Sequence, residues 1–225
     1  MARATSLPRD PVLVFDLWDT LVYNDQRPRP FDELVMGFGL DPSDPAARVQ
    51  VEVPFSTQRF TGIHEALDHL EQVLSRPFAG RAAFERRWEE ADRTAQLYDD
   101  ALPALDALTA RFRTALLSNT QSFGLERIQA LGVFDRFELK VLSCEHGLAK
   151  PDPAFFAIPA RELGVPAERL VMIGDSTSRD TGPARAAGYG GTILIDRAPE
   201  KHGARPRTET VVRDLREIPA LLDFA

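Results

Sequence analysis

Cysteine occurs once in these 225 residues and lysine three times. No apolar run approaches the roughly 18 residues that a membrane helix needs, so a span is excluded. The lone Cys144 has no partner for an internal disulfide, and the opening MARATSLPRDP lacks the apolar core of a secretory signal, so a cytoplasmic location is expected. A catalytic thiol needs an activating imidazole or cation, which His146 two positions on does not establish, so Cys144 is expected to be structural. The formal charge of −7 gives no long-range attraction for nucleic acid or anionic lipid. A small-molecule anionic substrate held by local positive groups is the expected partner, with no nucleic acid and no membrane. Lys140, Lys150 and Lys201 are the only lysines, and arginine supplies the remaining positive charge. Also missing are a G-x-S-x-G elbow, a G-x-G-x-x-G loop and a Walker loop. The Gly-rich Gly188 to Gly191 leads into an apolar run, and is expected to be a turn and not a phosphate cradle.

What is present is a pattern of alternation. Val12 to Phe15, Thr114 to Leu117, Leu170 to Ile173 and Thr192 to Ile195 are short apolar runs rich in β-branched residues, which predicts buried strands. Helical patterns follow two of them, Phe123 to Leu131 before Gly132 and Asp180 to Ala187 before Gly188, with glycine at the stop position. Pro153 to Leu163 is also helical in pattern, with Pro159 expected to kink or break it. Strands alternating with helices define an α/β fold with a doubly wound, Rossmann-like parallel sheet.

Tyr23 to Leu97 lacks that alternation. Ile63, Ala66, Leu67, Leu70, Val73 and Leu74 recur at helical steps, as do Phe84, Trp88, Ala91 and Ala95. These stripes predict helices with packed apolar faces, while Glu85, Arg86, Glu89 and Glu90 form a solvated face. His64 and His69 are five apart, a poor spacing for one metal site, and are expected at the surface or in packing. Gln26 to Phe31 and Leu40 to Ala46 are expected loops. The expected organisation is a core of residues 1–22 and 98–225 with a small all-α cap of residues 23–97, as a monomer or homodimer.

In an open parallel sheet the ligand crevice lies beyond the carboxyl ends of the strands. Asp16 follows the first run, Ser118 and Asn119 the second, and Gly174, Asp175 and Asp180 the third, with Lys150-Pro151 in the turn between the last two. Three carboxylates, a hydroxyl, an amide and a cation thus converge at one edge. Asp16, Asp175 and Asp180 suit a hard divalent cation, and Ser118 with Lys150 suits a substrate anion. Taken singly, each residue is equally explained as a cap or turn.

Together they resemble the four motifs of the haloacid dehalogenase superfamily: VFDLWDTL, LLSNT, Lys150-Pro151, and IGDSTSRD followed by TGPARAAG. The resemblance implies that Asp16 attacks the substrate and forms a covalent aspartyl intermediate that water hydrolyses. It further implies that Ser118 and the Asn119 backbone hold the transferring group, that Lys150 neutralises charge, and that Thr20 holds the first-motif loop. Mg²⁺ would be bound by Asp16, the Trp18 carbonyl and Asp175, with Asp180 supporting the metal or its water. The insertion is similar to the family's helical caps.

One position departs. Family phosphatases read FDLDGTL or FDLDDTL, and their second aspartate protonates the leaving group; here that position is Trp18. Asp19 falls where glycine or aspartate is usual and is no replacement. Indole is a donor only, with no proton to give at neutral pH. An aromatic residue at this place is similar to the metal-independent 2-haloacid dehalogenases, whose chemistry needs no proton for the leaving halide. Those enzymes usually lack the acidic Gly-Asp that stands here as Gly174-Asp175, and they set a cap arginine against the substrate, for which Arg27, Arg29 and Arg48 are candidates. Phosphonoacetaldehyde hydrolase needs a cap lysine, and residues 23–97 contain none. A scaffold that binds ligand without turnover is a further reading. The expected activity is Mg²⁺-dependent hydrolysis of a small phosphorylated metabolite.

Overall fold

The computed structural model describes residues 7–197 and 210–222; Lys201 lies outside them. Six strands form one parallel sheet in the order β5-β4-β1-β6-β7-β8. The four expected runs are β1 (Val12–Phe15), β4 (Thr114–Ser118), β6 (Leu170–Gly174) and β7 (Gly191–Ile195). Two more strands, β5 (Leu139–Leu142) and β8 (Thr210–Val212), pair at the two edges.

Alternation along the strands divides the core between two faces. Leu13, Phe15, Leu116, Val171 and Ile173 pack on one side with α5 (Ala101–Thr109) and α6 (Leu125–Ala130). On the other, Val12, Val14, Leu117 and Met172 meet α8 (Pro153–Leu163) and α9 (Gly182–Ala186). With both faces covered, β1 is buried at every residue, which is why it is apolar throughout.

Several sequence-based expectations need correction. Helix α8 runs through Pro159 to Leu163 without a break. Pro159 is buried, and packing of that face offsets the hydrogen bond its nitrogen cannot make. The helix expected from Asp180 begins instead as a wide π turn, Thr177–Thr181, and becomes α-helical at Gly182. Pro30 and Pro45 already start helices, so the expected loops around them end at Arg29 and Asp44. Val73 is 53% exposed and leaves the apolar stripe of its helix. Gly191 is the first residue of β7, and the preceding turn is tight: a Cβ at Gly190 would lie 1.8 Å from the Glu168 carbonyl oxygen.

Four helices, α1 (Pro30–Gly37), α2 (Pro45–Ser56), α3 (Ile63–Leu74) and α4 (Arg81–Thr94), fill the insertion. They enclose an apolar cluster of their own, with Val51, Phe55, Leu67, Leu70, Phe84 and Trp88 among its members. Where the chain leaves the sheet and returns, β2 (Val22–Tyr23) and β3 (Gln96–Leu97) pair antiparallel, and the Tyr23 and Tyr98 rings stack at 4.5 Å. His64 is surface-exposed beside Glu85 and Asp68, and His69 packs on Phe60, as expected. Cys144 is buried, and burial pushes its thiol up to about 11, so it is a structural thiol.

Candidate active site

The sheet register assembles the site. Phe15 is paired with Leu116 on one side and Ile173 on the other, and the Asp16 amide donates to the Ile173 carbonyl at 2.9 Å. Asp16, one position on, and Ser118 and Asp175, two positions on, therefore emerge at one edge. Asp180 joins them from the π turn, where its carboxylate accepts from the Ser176 amide at 3.0 Å. Only glycine fits beneath it, since a Cβ at Gly174 would lie 2.5 Å from the Asp180 Cγ. Carboxylate oxygens of Asp16, Asp175 and Asp180 all lie within 4.8 Å of one another.

Lys150 sits between two of them. Its buried Nζ donates to Asp16 Oδ1 and to Asp180 Oδ1, both at 2.6 Å. Thr20 Oγ1 donates to the other Asp16 oxygen at 3.1 Å, so both oxygens of Asp16 have fixed partners. Asn119 orients the lysine: its amide donates to the Lys150 carbonyl at 2.9 Å, and its Oδ1 accepts from the Lys150 amide at 2.7 Å. Ser118 is fully buried beside Asn119.

Electrostatics follow from this crowding. Burial, and then Asp180, push the Asp16 carboxyl up to about 6 against the pull of Lys150. Burial works against the Lys150 ammonium, but Asp16 and Asp180 outweigh it and hold the group above its ordinary value. Asp175 is raised well above the carboxylate range by burial, then by Asp180, Asp16 and Asp19. Among the described residues it accepts no hydrogen bond, and a divalent cation would relieve the repulsion that raises it. The donor set, all oxygen and all anionic, fits Mg²⁺.

Beside this cluster, between sheet and helices, is a cavity of about 180 Å³. Trp18, Phe31, Phe55 and Trp88 give it aromatic walls. Trp18 donates its indole N–H to Thr120 Oγ1 at 3.3 Å and holds no proton for transfer. Asp19 has a positive φ of 60°, a backbone state favouring glycine, asparagine or aspartate, and its side chain pairs with Arg29 at 2.7 Å. Arg48, which pairs with Asp32, and Arg29 both line the cavity. Arg27 does not, because its guanidinium binds the Asn24 and Gln26 carbonyls.

Sequence reasoning missed several cavity residues, among them Glu52, Asp92 and Arg179. Glu52 of α2 is buried, accepting from Asn119 Nδ2 at 2.9 Å and from Arg179 at 3.0 Å. Its signal was a carboxylate beside the inward stripe of Ala47, Val51 and Phe55. Arg179 adjoins Asp180, so one turn serves both carboxylate cluster and helices.

A parallel α/β sheet with a carboxylate and lysine cluster at its carboxyl edge defines the class of the protein. Residues 11–188 match the haloacid dehalogenase-like hydrolase family. A phosphoserine phosphatase from Thermus thermophilus is 33% identical over 153 residues, covering 66% of this chain and 60% of that protein. The match thus spans about three fifths of that relative's length. A HAD phosphatase from Thermococcus onnurineus superposes with a TM-score of 0.61 at 19% identity, covering 94% of this chain and 97% of that one. A 2-haloacid dehalogenase from Pseudomonas syringae superposes equally, with a TM-score of 0.61 at 20% identity, covering 95% and 98%. The chain belongs to the haloacid dehalogenase-like hydrolase family.

Proposed function

We propose that this protein hydrolyses the phosphate ester of a small phosphorylated metabolite, using Mg²⁺ and a covalent aspartyl intermediate on Asp16. The observation that carries this reading is Lys150 bridging Asp16 and Asp180 at 2.6 Å beside Asp175. A metal-independent displacement has little use for a second and third carboxylate packed against the nucleophile, because each raises the cost of a nearby anion. Fixed by Thr20 and Lys150, the Asp16 carboxylate is oriented for in-line attack on phosphorus. The side chain of Asn119 is committed to Lys150, which leaves its backbone N–H, with the Ser118 hydroxyl, for the transferring group. Asp16, Asp175 and the Trp18 carbonyl, with Asp180 in support, would hold Mg²⁺, which would supply charge neutralisation for the transferring group. Residues 23–97 act as the cap that selects the substrate, in a cytoplasmic monomer or homodimer. Among the described residues no helix is long and apolar enough to cross a membrane.

Trp18 supports a second reading, hydrolytic dehalogenation of a small 2-haloacid, because halide leaves without a proton. Turnover of p-nitrophenyl phosphate and of 2-chloropropionate, each with and without EDTA, separates the two. Phosphate release abolished by chelator is expected. Halide release that survives EDTA would overturn the first reading, and Mg²⁺ binding with neither turnover would mark a scaffold without catalysis.

A further inference from the structure

The phosphatase reading leaves one role empty, because Trp18 stands where a general acid is needed and its indole N–H is spent on Thr120. Four carboxylates line the adjoining cavity: Asp19, Asp32, Glu52 and Asp92. Three are held by arginines, Asp19 by Arg29, Asp32 by Arg48 and Glu52 by Arg179. Glu52 touches the motif residues Asn119 and Arg179, but both its oxygens face N–H donors and it serves as an acceptor. Asp92, near the end of α4, makes no ion pair among the described residues.

We propose that Asp92 is the acid–base residue of this site, protonating the leaving-group oxygen and later deprotonating the hydrolytic water. The inference rests on the phosphatase reading. As Asp16 forms its bond to phosphorus and the phosphorus–oxygen ester bond breaks, the departing oxygen takes the carboxyl proton of Asp92. The Asp92 carboxylate then accepts a proton from water attacking the aspartyl phosphate, which regenerates both groups and releases inorganic phosphate.

Placement supports the role. The Asp92 carboxylate reaches across to the loop that follows Asn119, where a Cβ at Gly124 would lie 2.7 Å from its Oδ2. Asp92 lines the same cavity as Trp18, Asn119 and Thr120. That space, about 180 Å³, is large enough for ordered water, so a water can relay the proton between Asp92 and the leaving group. Burial raises the carboxyl to about 7, the Trp88 indole pulls the other way, and Glu126 and Glu89 add to the rise. The remaining charged groups of the cavity, Arg29, Arg48, Arg179, Asp19, Asp32 and Glu52, are engaged with one another. A carboxyl near 7 is suited to exchange protons in both directions at neutral pH.

The test compares the wild type with Asp92→Asn and Asp92→Glu on p-nitrophenyl phosphate and on an alkyl phosphate, across pH 5 to 9. p-Nitrophenolate leaves unaided, so Asp92→Asn should give a burst of about one p-nitrophenol per protein molecule and then slow turnover. On the alkyl ester the same variant should show no burst and a loss of roughly 10²-fold or more. Asp92→Glu should retain part of the alkyl phosphatase activity with a displaced pH limb. Adding Trp18→Asp to Asp92→Asn should restore alkyl ester turnover. A folded Asp92→Asn with wild-type rates on both esters, or with equal losses and no burst, overturns the assignment while leaving the phosphatase reading intact. A wild type that releases phosphate from neither ester overturns that reading, and this one with it.

Discussion

Glu52 of α2 and Arg179 of the π turn meet at 3.0 Å across the seam between helices and sheet. Glu52 is buried while Arg179 is partly open, and burial of the guanidinium is outweighed by Glu52, then by Asp175 and Asp180, which hold it charged. The same carboxylate holds Asn119, so one residue of the insertion touches two motif residues of the core. Removing one partner of such a pair should cost about 1–3 kcal/mol, more than an exposed pair gives. Urea denaturation of Glu52→Ala, Arg179→Ala and the double variant should yield a coupling of at least ~0.5 kcal/mol. A coupling of zero would show that the pair does not hold the seam.

Lys150→Met should affect both stability and turnover. The ammonium offsets two buried carboxylates at 2.6 Å, and a buried pair broken on one side costs about 3–5 kcal/mol. Turnover should fall by roughly 10³-fold or more, since the stabilising charge disappears from the reacting edge. The destabilisation should be largest at pH 8 and shrink toward pH 5, because protonation of the abandoned carboxylates relieves their repulsion. Thermal melts of both proteins over that range check the trend; an unchanged difference would contradict it.

Asp92 carries a stability signature separate from its chemistry. Its carboxyl is raised from 3.8 to about 7 in the fold, so between those values the native state holds a proton that the unfolded chain has lost. Stability from this group therefore falls as pH rises from about 4 to 7 and stays low above. Asp92→Asn removes the penalty. It should raise stability at pH 8 by about 1–3 kcal/mol and leave it nearly unchanged at pH 4. Equal melting temperatures at pH 8 would show that the carboxyl ionises without cost.

Gly190→Ala probes the approach to β7. The added Cβ would press on the Glu168 carbonyl at 1.8 Å, and backbone on both sides would have to move. A loss of about 2–4 kcal/mol is expected in denaturant titration. A loss under ~0.5 kcal/mol, the scale of an ordinary surface change, would mean that this turn is loose.

Legibility in the sequence followed the surroundings of each element. The inner strands β1, β4, β6 and β7 are covered on both faces and announce themselves as unbroken apolar runs. The edge strands β5 and β8 do not: Lys140 and Val211 are exposed, and each strand has only part of its length buried. Asp16, Ser118, Asn119, Asp175 and Lys150 were legible because strand ends and the turns between them fix where such residues emerge. Glu52 and Asp92 were not, since rotation of a helix about its axis decides whether a carboxylate meets solvent or cavity. Pro159 misled for a related reason: its intrinsic cost is local, while the burial that outweighs it is tertiary.

The short ribbon of Val22–Tyr23 against Gln96–Leu97 has a consequence for how such a chain can diversify. Because outgoing and returning strands lie side by side, the sheet sees everything between them as one long hairpin. Helices could be lengthened, shortened or exchanged there without changing the register of a single central strand, so the insertion can vary while the carboxylates and lysine at the sheet edge keep their places.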